Sequence, residues 1–306
     1  MNHLPYIKLT IVAIFIISTV YVHLRGRERL GFWRQLTDHS TFMAPINCFM
    51  YLFSKVGSRK PYLPVSALPN LDKLQANWEA IRAEAVAMHE MGTIRASDKY
   101  DDAGFNSFFK TGWKRFYLKW YDQAHPSAAE LCPVTTSLLR EIPNVKAAMF
   151  AELPPGSRLV RHRDPFAGSL RYHLGLVTPN DDGCYIDVDG QRYSWRDGQG
   201  VVFDETFLHF AENTTPVNRI ILFCDIERPL TWGPAAAVNR FISRHLIGAA
   251  SAPNTEADRT GGLNKVFGYV QHFRLWAKSV KARSRLAYYA GKWLLFGGIF
   301  LWWLLA

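Results

Sequence analysis

Paired cysteines are missing from this chain. Its four cysteines, Cys48, Cys132, Cys184 and Cys224, are scattered, and no two stand in a C-x-x-C spacing. That argues against a disulfide framework or a zinc site and makes a reducing compartment the default. No internal repeat, low-complexity tract or nucleic-acid motif stands out. Acidic residues are scarce: 26 Asp and Glu stand against 36 Lys and Arg, a formal net charge of +10. Such a balance invites nucleic acid or an anionic membrane. The basic residues crowd beside apolar segments at both ends, which favours the membrane. At 306 residues and 48% hydrophobic, the chain is long enough for one sizeable domain plus appendages.

Leu9–Leu24 carries no acidic or basic residue except His23. With Leu4–Ile7 it approaches the roughly 20 residues that a spanning helix needs. Arg25, Arg27, Arg29 and Arg34 follow it, so that side is expected to be cytoplasmic and the N-terminus outside. A cleaved signal peptide is the alternative. It lacks support because no small-x-small site follows and the basic cluster lies on the wrong side. Phe42–Phe53 is apolar but interrupted by Pro45 and Asn47. It reads as an interfacial or re-entrant piece, with an ordinary buried helix as the alternative. The expected organisation is a transmembrane anchor over 1–30, an interfacial segment and Pro-punctuated linker over 31–64, a catalytic domain over 65–232, and basic amphipathic helices with a hydrophobic membrane segment over 233–306.

Within the domain, Leu71, Leu74, Trp78, Ile81 and Ala85 recur at helical spacing and predict a helix over Leu71–Met91, stopped by Gly92. Trp113–Tyr121 reads as a strand. From Lys146 the pattern changes to short strands and tight turns: Ala147–Leu153, Arg158–Arg163, Ser169–Val177, Cys184–Val188, Gln191–Trp195, Gly200–Asp204 and Arg219–Ile226. Asp189-Gly190 is a two-residue hairpin signal. The very apolar last strand is expected at the centre of its sheet. The fold class is therefore mainly β with flanking helices, a double-stranded β-helix of the jelly-roll or cupin-like kind. At the C-terminus, Leu263, Val266, Phe267, Val270 and Phe273 form an apolar stripe beside basic residues.

His162 and Asp164 stand two apart and face the same way on an extended strand. An imidazole and a carboxylate are two thirds of the facial triad that holds non-haem Fe(II) and leaves positions open. His209, in Asp204-Glu205-Thr206-Phe207-Leu208-His209, is the best third ligand. Arg219, ten positions on, starts the apolar strand, and a guanidinium inside an apolar barrel needs a carboxylate partner. The far carboxylate of 2-oxoglutarate is a natural one. Arg171 and His173 share a strand face, where they would bind the oxo-acid or shape a substrate channel. In isolation, a surface His/Asp pair and a structural His209 are the plain readings. The combination within a strand-rich block favours an Fe(II)/2-oxoglutarate site that consumes O2.

These residues also carry a resemblance. Pro154-Pro155-Gly156, His162-Arg163-Asp164, Leu170–Val177, Phe203–His209 and Arg219–Asp225 resemble the aspartyl/asparaginyl β-hydroxylase family. The resemblance implies that His162 and His209 bind Fe(II), that Arg219 binds 2-oxoglutarate, that Arg171 and His173 touch the cosubstrate, and that Trp113 flanks it. The animal protein hydroxylases of the family have Gly where Asp164 stands, so this chain offers a full triad. A family serine that contacts the cosubstrate is Ala151 here. Tyr21–Gly26, Asp38–Pro45 and the apolar ends are similar to the family's bacterial lipid A hydroxylases. That similarity implies an inner-membrane enzyme whose cytoplasmic domain 2-hydroxylates a secondary acyl chain of lipid A or its Kdo-bearing precursor. Arg161, Arg163 and Lys110 are then expected to meet lipid phosphates. Competing readings are a hydroxylase of an aminoacyl lipid or of protein Asp/Asn, and a non-catalytic cupin-like sensor.

Overall fold

A computed structural model of the chain describes residues 4–97 and 101–305. Among the described residues, ten strands form two sheets: β1 (Tyr62–Leu63), β2 (Lys114–Trp120), β3 (Val145–Leu153), β4 (Arg158–His162), β5 (Ser169–Val177), β6 (Cys184–Val188), β7 (Gln191–Ser194), β8 (Gly200–Phe203), β9 (His209–Asn213) and β10 (Arg219–Glu227). One sheet has the order β1-β8-β5-β10-β3-β2 and the other β4-β9-β6-β7. From β3 onward the chain passes back and forth between the sheets, and every strand pairing is antiparallel. That winding is a double-stranded β-helix. The turn between β6 and β7 holds Asp189 at φ 56° and Gly190 at φ 78°, the left-handed pair that matches the twist of a hairpin.

Strand β10 is paired on both edges, with β5 and β3, and buried on both faces, by the covering helices on one side and the barrel interior on the other. This explains its nearly unbroken apolar run. Ile220, Leu222, Cys224 and Ile226 point to one side, into a core shared with Leu71, Leu74, Ile81, Ala85 and Leu139 of the covering helices. Arg219, Ile221 and Phe223 point to the barrel interior. The helix expected over Leu71–Met91 is two helices, Leu71–Ala76 and Trp78–Glu90. They part at Asn77, whose side chain donates to the Lys73 carbonyl at 2.8 Å. Strand β9 was not expected. His-Phe-Ala-Glu-Asn has little β-branched character, and its conformation is fixed by pairing with β4 and β6.

Helix Leu4–Leu24 contains, over Tyr6–Leu24, the span among the described residues that is long and apolar enough to cross a membrane. Pro45 and Asn47 do not interrupt the next apolar stretch. Pro45 sits in the first turn of helix Ala44–Leu52, where its missing N–H costs nothing. Asn47 docks that helix on the barrel, donating to the Pro165 carbonyl at 3.0 Å and accepting from the Ala167 N–H at 2.9 Å. Met50 and Tyr51 pack there with Phe166, Leu230 and Ala235. Helices Gly262–Arg283 and Arg285–Leu305 close the chain. Leu263, Val266, Val270 and Phe273 on the first of them are exposed.

Candidate active site

The register of β4 against β9 places His162 directly opposite His209. Their ring centroids are 4.2 Å apart. Each ring is oriented by the backbone two residues before it: Nδ1 of His162 lies 2.7 Å from the Val160 carbonyl, and Nδ1 of His209 lies 2.9 Å from the Phe207 carbonyl. A carbonyl only accepts, so Nδ1 carries the proton and Nε2 keeps its lone pair. Asp164 lies just past the end of β4, where its N–H donates to the Glu205 carbonyl at 2.9 Å. Its Oδ1 is 3.5 Å from His162 Nε2. One ligand atom from each of the three side chains lies within 4.8 Å of the others.

The charge states suit a divalent cation. Burial, reinforced by the neighbouring His162, pushes His209 down to about 3, so it is a neutral imidazole at ordinary pH. Burial alone would raise Asp164. The Arg171 guanidinium and the His162 contact outweigh it and hold the carboxyl well below the usual range. Two imidazoles and one carboxylate are the donor set of a facial Fe(II) site.

Arg171, His173, Arg219 and Trp113 line the same cavity as His162, Asp164 and His209. Arg171 is internally paired. Its Nη2 donates to Asp164 Oδ2 at 2.6 Å. Its Nε makes a charge contact with Asp225 Oδ1 at 2.9 Å, and the guanidinium lies 3.7 Å from the Phe223 ring centroid. Tyr121 donates to Asp225 Oδ2, and Ser169 to Glu205 Oε1. Burial pushes Glu205 up to about 8, so it keeps its proton at neutral pH.

Arg219 is the opposite case. It is 2% exposed, and its Nε and Nη2 have no hydrogen-bond partner among the described residues. Its guanidinium lies over Trp195, 4.4 Å from the ring centroid. Burial pulls it down to about 10, and the Cys184 and Glu152 side chains offset only part of that. Beside it, both ring nitrogens of buried His173 and Nε1 of Trp195 are also unpartnered. His173 stacks on Phe223, and burial together with the Arg171 and Arg219 charges keeps it neutral. Trp113 stacks on Phe105 at 4.9 Å, and Phe105 and Phe108 form an apolar wall. Ala151 lies opposite Ile221 inside the apolar interior.

Sequence reasoning missed Trp195, Glu205 and Asp225. Strand parity was a usable signal for Asp225, which shares a face with Arg219, Ile221 and Phe223. Nothing local marks Trp195 or Glu205. The two arginines expected to contact phosphate are engaged within the chain: Arg163 is buried, and Arg161 pairs with Glu28 at 2.8 Å.

Fold and site together define a jelly-roll protein with a two-histidine, one-carboxylate centre. Residues 75–229, half of the chain, match the family model described as aspartyl/asparaginyl beta-hydroxylase. The chain belongs to that family. It is 33% identical over 193 residues to an ornithine lipid ester-linked acyl 2-hydroxylase of Rhizobium tropici, covering 61% of this chain and 66% of that protein. It is 27% identical over 161 residues to the human aspartyl/asparaginyl beta-hydroxylase, covering 51% of this chain and 21% of that protein. The match thus spans less than two thirds of these relatives' own length. Among solved structures, a Pseudomonas putida prolyl-4-hydroxylase aligns with a TM-score of 0.34 at 19% identity, covering 51% of this chain and 88% of that one.

Proposed function

We propose that the protein is an Fe(II)/2-oxoglutarate-dependent dioxygenase that hydroxylates an acyl chain of a membrane lipid. The observation that carries this reading is the unpaired, buried Arg219 in the cavity that also holds His162, Asp164 and His209. An isolated buried guanidinium is costly unless an anion joins it. A dicarboxylate reaching that end of the cavity supplies one and also meets the unpartnered nitrogens of His173 and Trp195. His162, Asp164 and His209 would hold the metal. The bound metal and cosubstrate supply O2 activation, with succinate and CO2 as co-products and one oxygen atom placed in a C–H bond. The chain's own residues bind and orient. Arg219 and His173 fix the cosubstrate, Arg171 holds Asp164 ionised, and Trp113, Phe105 and Phe108 keep water from the reacting carbon.

Support for a lipid substrate is of two kinds. The Rhizobium relative acts on a lipid acyl chain by its name. The segment after the apolar helix exposes Phe32, Trp33 and Phe42, side chains suited to the headgroup level of a bilayer. Exposed Arg27, Arg29 and Arg34 favour a cytoplasmic domain at the inner membrane. Arg25 does not add to that count, because it is buried against Asp204. We assign lipid A as the substrate from the resemblance of the end segments, with an aminoacyl lipid as the alternative that the Rhizobium relative favours. Mass spectrometry of both lipid classes from cells with and without the gene decides. One added oxygen on a lipid A acyl chain is expected. An added oxygen confined to aminolipids moves the substrate, and no change in either lipid class rejects lipid hydroxylation.

A further inference from the structure

We propose that the segment Arg25–Asn47, which follows the apolar helix and precedes the part of the chain matched to the family, positions the metal ligands of both ligand-bearing turns. The inference rests on the metal reading of His162, Asp164 and His209. Arg25 is the first basic residue after the apolar run, yet it is 8% exposed. Its Nη2 donates to Asp204 Oδ2 and its Nη1 to Thr206 Oγ1, both at 2.7 Å. Its guanidinium lies 3.8 Å from the ring centroid of Phe207. Asp204, Thr206 and Phe207 belong to the turn between β8 and β9, and the Phe207 carbonyl is the group that orients His209. The next residues grip the same turn from its other side. The N–H groups of Arg27 and Glu28 donate to Asp189 Oδ1 at 2.7 and 2.8 Å, and the Asp189 N–H donates to the Leu208 carbonyl at 2.9 Å.

The other ligand turn is held by the same segment. A ring nitrogen of His39 bonds the carbonyl of Arg163, the residue between His162 and Asp164. Arg163 Nη1 donates to Gln35 Oε1 at 3.0 Å, and Asn47 donates to the Pro165 carbonyl. Ligands must be held within about 0.5 Å of productive geometry, and outer contacts that orient them change metal affinity by about 10–100-fold. The two turns come from different parts of the barrel, and one external strap spans them. Arg25 and His39 are therefore positioning residues, and anchoring and metal geometry form one unit.

The test uses the full chain in detergent micelles, with Co(II) as the metal probe. It reads Co(II) affinity by titration, the visible Co(II) absorption band, and the thermal midpoint of the metal-free protein. Arg25→Met and His39→Ala are expected to weaken Co(II) binding about 10–100-fold and to shift the band. Ile81→Ala, a cavity in the core outside the barrel, is the control: it lowers the midpoint and leaves the band in place. If Arg25→Met does not fold, His39→Ala, whose ring is half-exposed, decides alone. Wild-type affinity and band in the folded variants overturn the inference, as does an equal band shift in Ile81→Ala. A wild-type chain that binds no Co(II) removes the metal reading and this inference together. Wild-type binding with unaltered variants removes the inference alone.

Discussion

Two buried arginines face the same barrel interior from neighbouring strands and live in opposite surroundings. Arg171 on β5 has Asp164 on one side and Asp225 on the other, with Glu205 close by. Burial would lower its pKa, but the carboxylates outweigh burial and raise it. Arg219 on β10 has an aromatic face and, among the described residues, no carboxylate in an ion pair with it, and burial lowers it despite the Glu152 charge. The first arginine completes a charge network that the fold itself closes. The second leaves a positive end open. Only the open end calls for an anion from outside, so the comparison separates a side chain that builds the site from one that waits for a ligand.

Removing each arginine should move stability in opposite directions. Arg171→Met strands Asp164 and Asp225 around a neutral side chain, and breaking a buried network from one side costs about 3–5 kcal/mol. Urea unfolding of the metal-free protein measures it. Arg219→Met removes a buried charge that has no partner, so the metal-free protein should gain about 1–3 kcal/mol. The same variant should raise the KM for 2-oxoglutarate by about 10–100-fold, the scale of a lost charge-assisted hydrogen bond. Equal destabilisation by both substitutions would erase the contrast.

Much of this arrangement was legible before any coordinates. Ser169–Val177 and Cys184–Val188 have the limits read from alternation and turn residues. The apolar run of Arg219–Ile226 marked a central strand because burial on both faces demands it. His162, Asp164 and His209 could be grouped from spacing and strand context, and the structure brings them together. What could not be read depends on partners distant in sequence. Strand parity sets Arg171 on an interior face, but Asp164 and Asp225 reach it from other elements, so its internal pairing has no local trace. Strand β9 owes its conformation to neighbours rather than to its residues. Arg25 reads in the sequence as one of the flanking charges that mark the cytoplasmic side, because its partner, Asp204, is 179 positions away.

Asp204 gives a smaller effect with a defined sign. Burial opposes its ionisation, but Arg228 and Arg25 hold its pKa well below the ordinary carboxylate value. Its folded pKa is below its unfolded one. Its contribution is therefore complete above the unfolded pKa of about 3.9 and is lost as pH falls through the folded value. Thermal midpoints followed from pH 6 downward should fall more steeply below about pH 4 in the wild type than in Asp204→Asn. Parallel profiles would mean that the Arg25–Asp204–Arg228 group does not set acid stability.

The smallest expected effect sharpens the open end itself. Trp195 offers two things there: a ring under the Arg219 guanidinium and an indole N–H without a partner. Trp195→Phe keeps an aromatic face and deletes the donor. If the N–H meets the cosubstrate carboxylate, its loss costs about 1 kcal/mol, or roughly fivefold in the KM for 2-oxoglutarate, with little change in kcat. Stability of the metal-free protein should hold steady, because an unsatisfied buried donor disappears with the indole. An unchanged KM would place the carboxylate away from the indole and narrow the anion end to Arg219 and His173. A large fall in stability would mean that the ring, and not its N–H, is what keeps an uncompensated guanidinium inside the barrel.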